Sequence, residues 1–144
     1  MTIISKTNWI PGNTLEYSDI TRVENNTIEL QTNLQAIGFV IELEEKKTDW
    51  SVNDWLSLRN MERIKRNITA LRNNFYVYPT TPEIPETPDV ENLPFKTIAH
   101  TWYMQNIMEK IIFDLNRSYI TWLNTQAASQ MYAGNFYCGE EIIL

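Results

Sequence analysis

Ile20, Val23, Thr27, Leu30, Leu34 and Ile37 follow one another at alternating spacings of three and four, the signature of a helix with one narrow apolar stripe. Ser18 suits an N-cap and Gly38 a C′ position, so a first helix is expected over 19–37, packed on one side in a coiled-coil-like way. Residues 1–17 form an arm before it, with turn chemistry at Trp9-Ile10-Pro11-Gly12-Asn13. Phe39 to Leu43 is β-prone but short, which predicts an edge strand or an extended arm, followed by a polar connection from Glu44 to Asp49. Ser51 and Asp54 resemble a capping box and place a second helix over 52–76. On a wheel of about 3.6 residues per turn, Met61, Ile64, Ile68, Leu71 and Phe75 cluster on one side, with Arg59, Glu62, Arg63 and Arg66 opposite. That basic side reads as a solvated face or as a partner for Glu24, Glu29 or the acidic segment that follows.

Pro79, Pro82, Pro85 and Pro88 recur at every third residue, the repeat of a polyproline II helix, and predict a stiff strap over 79–94. Such a strap spans roughly 50 Å, longer than a helix of this size, so it has the reach to let the second and third helices run parallel. Pro94 suits the first turn of a third helix, expected over 95–124. Its polar stripe (Asn106, Lys110, Asp114, Arg117, Thr121, Asn124) is narrow, and apolar side chains cover the rest of the circumference. A helix apolar nearly all round is central in its domain or shared with another subunit, and subunit contact is the expectation here. Trp102, Met104, Met108, Tyr119 and Trp122 are the candidate interface anchors, because buried aromatic and large apolar side chains dominate interfaces. Aromatics around Gly134-Asn135 predict a small β-hairpin over 129–144. No internal repeat is evident. The fold expected is mainly α, three long helices in a single-domain bundle with a proline strap and a C-terminal hairpin.

Charge narrows the partners. The 144-residue chain carries a net charge of −6, which disfavours nucleic acid and acidic lipid. The charge is uneven: −5 over residues 1–45, +4 over 46–78, −4 over 79–95 and −1 over the remainder, so neighbouring segments attract one another. No apolar run has the length of a membrane span, and Met1 to Trp9 lacks the pattern of a secretory signal, so no membrane insertion is expected.

Candidate chemistry is sparse. Cys138 is the lone cysteine and His100 the lone histidine, which predicts no disulfide and no metal site. Phosphate-binding glycine loops, GxSxG and HExxH are missing from the sequence, and Glu140 and Glu141 read as solvated. The expectation is a protein that is not an enzyme and takes no cofactor.

Four segments point to a more specific reading. They are Tyr17-Ser18-Asp19-Ile20-Thr21-Arg22-Val23-Glu24-Asn25-Asn26; Lys47-Thr48-Asp49-Trp50 with Asp54; Met61-Glu62-Arg63-Ile64-Lys65-Arg66-Asn67-Ile68 leading into Leu71-Arg72; and Thr81-Pro82-Glu83-Ile84-Pro85 before Leu93. With the glycine-bearing end Tyr132-Ala133-Gly134 and Cys138-Gly139-Glu140, they resemble small tail and baseplate-associated proteins of phages and prophages of Gram-positive bacteria. Thr21, where Asn is usual, and the His100 region depart from that pattern. The resemblance implies a virion structural protein of the tail tip, baseplate or fibre-attachment region, assembled in the bacterial cytoplasm. Its implied partners are itself and other tail or baseplate proteins, with a homo-oligomer, a trimer above all, as the expected state. Two other readings stand beside it: a host cell-wall glycan-binding module using Trp9, Trp50 and Trp55, and a small regulatory binding protein.

Overall fold

A computed structural model describes residues 3–10, 12, 13, 15–51, 53, 54, 58–84 and 96–136, with the side chains of 58, 96–103 and 127–136 outside that description. Three helices pack against one another: α1 (Tyr17–Ala36), α2 (Leu58–Asn73) and α3 (Lys96–Phe136). There is no strand among the described residues.

Helix α1 begins two residues earlier than its sequence suggests. Glu16, not Ser18, is the N-cap, and its backbone N–H donates to Asp19 Oδ2 at 2.9 Å. An acidic residue three places into a helix both satisfies an orphan donor and complements the positive end of the helix dipole. The far end follows the sequence expectation. Gly38 takes φ +98°, its N–H donates to Gln35 O at 3.1 Å, and the Phe39 N–H donates to Leu34 O at 2.9 Å. These two bonds make a Schellman motif, which needs the left-handed conformation that glycine adopts without strain.

Ser51 and Asp54 form one half of the expected capping box, with the Ser51 N–H donating to Asp54 Oδ2 at 2.7 Å, while the Asp54 N–H goes to the Ser51 carbonyl. The contact closes a turn, however, and α2 starts at Leu58 rather than 52. It also ends at Asn73, three residues before the expected boundary. Phe75, past that end, still reaches the core.

The core joins all three helices. Leu30 and Leu34 from α1, Ile68 and Leu71 from α2, and Met108, Ile111, Ile112 and Leu115 from α3 are sealed from solvent. Each such side chain contributes about 1.5–3 kcal/mol by leaving water. Contacts at matching levels fix the helix directions. Arg22 of α1 meets Glu109 of α3 near one end, and Glu24 of α1 meets Arg63 of α2. At the other end Phe39 meets Phe75 and Trp122, with ring centroids 5.0 and 5.5 Å apart. All three helices therefore run the same way.

Parallel neighbours need long returns, and the first is the segment from Phe39 to Trp50. It is extended but pairs with no strand. Ile41 O accepts from Gln31, the Glu44 N–H donates to Asn67 Oδ1 at 2.8 Å, and the Lys47 N–H donates to Glu24, so side chains of α1 and α2 take the place of a ladder. The second return begins after α2. Pro79 stands in a turn closed by Thr81 N–H to Tyr78 O at 3.0 Å, not in a polyproline II strap. Arg72 then grips the carbonyls of Thr81 and Pro82, and Thr81 Oγ1 donates to the buried Asp114 at 2.9 Å. The rest of the expected strap, 85–94, lies outside the described residues.

Helix α3 runs on to Phe136, through the first half of the expected hairpin. Gly134 is a turn signal in the sequence, yet one glycine in a helix costs only about 1 kcal/mol and the preceding Gln126 to Ala133 contains no breaker. Residues 137–144 lie outside the described residues. No described helix is long and apolar enough to cross a membrane.

Candidate functional site

Two buried glutamates organise the polar interior, one in α3 and one in α1. Glu109 is fully buried. Its Oε1 accepts from Arg22 Nε at 2.7 Å and from the Lys6 N–H at 2.9 Å; its Oε2 accepts from Arg22 Nη2 at 2.8 Å, Trp9 Nε1 at 2.5 Å and Gln105 Nε2 at 3.3 Å. The hydrogen bonds that Arg22 donates to Glu109 raise its guanidinium above its ordinary pKa, against the opposing effect of burial. Asn106, one turn of α3 away, accepts the Trp9 backbone N–H at 3.3 Å.

Glu24 repeats the arrangement between α1 and α2. It accepts from Arg63 Nη1 at 2.6 Å and Nη2 at 3.2 Å, from Trp50 Nε1, and from the Lys47 N–H at 3.2 Å. Arg63 Nη1 also donates to Glu45 O at 2.5 Å. In both places a carboxylate receives a guanidinium, an indole N–H and a backbone N–H, which together offset the cost of burying its charge. We call each assembly a latch.

The likeness has a sequence basis. Lys6-Thr7-Asn8-Trp9 returns as Lys47-Thr48-Asp49-Trp50, 41 positions later. In each copy the lysine ammonium lies over the tryptophan ring, at 4.1 Å for Lys6 and 5.2 Å for Lys47. A turn follows each tryptophan: Ile10 N–H donates to Asn13 Oδ1 at 2.9 Å, and Ser51 N–H to Asp54 Oδ2 at 2.7 Å. At the same offset stand the helix starts Tyr17 and Leu58, and the pairs Arg22 and Arg63, Asn26 and Asn67, and Leu30 and Leu71. Asn26 donates to Ile4 O and Asn67 accepts from the Glu44 N–H, so both asparagines pin the incoming extended segment. The chain thus contains a duplicated unit of extended arm, turn and helix, contrary to the expectation of no repeat. Each unit latches onto a different parallel helix, the first onto α3 and the second onto α1. In α2 the position equivalent to Glu24 is Lys65, so the series goes no further.

The anchors expected on α3 divide. Met104 and Met108 are buried in the core among the three helices. Tyr119 and Trp122 are half-buried against it, and Trp122 stacks on the exposed Tyr76 at 5.9 Å. Trp102 lies in α3 with its side chain outside the description. Among the described side chains of α3, the exposed large apolar ones are Phe113, Ile120 and Leu123. Trp9 and Trp50, offered as glycan platforms, are 3% and 6% exposed with their indole N–H groups already bonded, which removes both from that role. Trp55 lies outside the described residues. The basic side of α2 does pair as one reading held: Arg63 with Glu24, and Arg66 with Glu44 at 2.5 Å. Among the described residues no group of three or more His, Cys, Asp or Glu is placed to hold a metal ion.

The chain matches no known protein family, no curated protein and no solved structure.

Proposed function

We propose that this chain is a non-enzymatic virion structural protein of a phage tail, placed in the tail tip, baseplate or fibre-attachment region and acting by protein–protein assembly. One observation carries the reading: three of the segments that resemble tail proteins contribute residues to the latches. Tyr17 to Asn26 supplies Asp19, Arg22, Glu24 and Asn26; Lys47 to Trp50 with Asp54 supplies the second arm and its turn; Met61 to Ile68 supplies Arg63 and Asn67. In these three segments the resemblance falls on residues with a physical task, holding parallel helices in register. Both buried glutamates are taken up by hydrogen bonds that hold the fold itself together, which supports a scaffold over a catalyst.

Mass spectrometry of purified, salt-washed tail particles tests the proposal. Peptides of this chain should appear in fixed ratio to the other tail proteins. Their absence from particles, with the chain present in the producing cells, would overturn it.

A further inference from the structure

Helix α3 outlasts its neighbours. Trp122 sits level with Phe39 and Phe75, where α1 and α2 have ended and the chain has turned back. The 14 residues from Leu123 to Phe136 thus extend roughly 21 Å past the ends of α1 and α2, with no other described element beside them. Every side chain from Leu123 to Gln126 is exposed. A helix of this length is marginal in water without a partner.

The overhang has a pattern of its own. The core-facing line of α3, through Met108, Ile112, Leu115, Tyr119 and Trp122, turns polar at Gln126 and Ser129. A second line passes through the exposed Ile120 and Leu123 and continues in sequence to Ala127 and Met131, at spacings of three and four. Phe113 closes this line on the bundle side, where Lys110 and Arg117 flank its ring at 5.4 and 5.7 Å. From Ser118 to Gly139 there is no Asp, Glu, Lys or Arg, the longest such stretch in the chain.

We propose that α3 beyond Trp122 is a self-association stalk, in which the line of Ile120 and Leu123 packs in parallel against the same line of a second copy. The proposal rests on the assembly reading above and names the surface that serves it. Charge selects a second copy as the occupant. Two chains of net charge −6 repel one another over most of their surfaces, and the stalk is where they can meet without opposed like charges. A spacing of three and four is also complementary to itself in a parallel coiled coil.

Sedimentation equilibrium of the full chain, from micromolar to hundreds of micromolar, tests this. The mass should rise above 17.0 kDa to a whole multiple of it. The double variant Ile120→Glu with Leu123→Glu should weaken association by at least about tenfold while leaving the helical circular dichroism and the melting temperature nearly unchanged, because both side chains are exposed. In a Cys138→Ser background, Ala127→Cys should oxidise to a covalent dimer, as a parallel in-register pairing requires. A wild-type chain that is monomeric throughout, or a double variant that associates as well as wild type, overturns the stalk. A monomeric chain still recovered in tail particles would discard the second copy yet keep the tail assignment; self-association with no recovery in particles would do the reverse.

Discussion

The latch at Glu109 and the latch at Glu24 use the same parts on unequal terms. At Glu24 the partner Arg63 is 7% exposed, while Arg22 at Glu109 is 26% exposed and has Asp19 as a second acid at 2.9 Å. Glu109 in turn receives one more donor, from Gln105. The Glu109 latch also closes a far longer stretch, Trp9 to Glu109 against Trp50 to Glu24. Closing the longer loop costs only slightly more, since the entropic penalty grows with the logarithm of length. What separates the two is solvent: Arg22 keeps water and a second acid in direct contact, whereas Arg63 is buried with the Glu45 carbonyl as its other direct partner. The comparison teaches that a repeated motif can keep its geometry while its energetic weight shifts from one copy to the other.

The sharpest way to break that conclusion is to neutralise each acid without changing its volume. Glu24→Gln leaves a buried guanidinium without its counter-charge and should cost about 3–5 kcal/mol in urea unfolding. Glu109→Gln should cost less, because Arg22 can turn to Asp19 and water. If the Glu109 variant proves equally or more destabilised, burial of the cation is not what ranks the latches.

Replacing only the indole donor sharpens the comparison further. Trp9→Phe and Trp50→Phe each keep a ring in place and remove one hydrogen bond to a carboxylate, for a loss of about 1.5–3 kcal/mol. The two losses should agree to within the error of the measurement, since each indole N–H meets a buried acid. A large inequality would show that the two tryptophans do different work.

These latches were only half legible in the sequence. The stripe of α1, the Schellman end at Gly38 and the apolar side of α2 follow from local spacing, and the helices form where that spacing is sustained. The basic side of α2, open in the sequence between a solvated face and a partner for Glu24, resolves for a physical reason. A helical wheel assigns one face to the core and the opposite face to water, but here the extended return from Phe39 to Trp50 lies along the second face, and Arg63 ends up bonding Glu24 and Glu45 beneath it. The polar stripe of α3 fared likewise: Asn106 receives the first arm, and Asp114 the chain after α2. The Lys-Thr-x-Trp repeat was present to be read, and it was the one sequence signal for a pairing that spans a hundred residues. The length of α3 was not, because Gly134-Asn135 gives a turn signal that helix continuity overrides.

The turns after each tryptophan offer a smaller test. Asn13→Ala and Asp54→Ala each remove an acceptor for one backbone N–H, and each should cost about 1 kcal/mol, a value typical of a lost cap. Melting curves of the two variants should shift together. A shift confined to one would mean that the second turn is held by its surroundings rather than by its own side chain.

The smallest effect belongs to a pair that only the second unit possesses. Arg66 hydrogen-bonds Glu44 and holds its carboxyl below the usual carboxylate range, whereas the equivalent positions in the first unit are Asn25 and Ile3. A folded-state pKa below the unfolded one means that the pair's contribution is present above the unfolded Glu value and is lost as pH falls through the folded value. Both groups are exposed, so water and salt screen the pair heavily. Glu44→Gln should therefore melt slightly below wild type at neutral pH and low salt, and the gap should close both in acid, below the carboxylate range, and on adding salt. Asn25→Ala in the first unit should show no such pH-dependent gap. If Glu44→Gln and wild type melt together at neutral pH and low salt, the charge pair is an ornament of the second unit, and the two units differ only in how deeply their latches are buried.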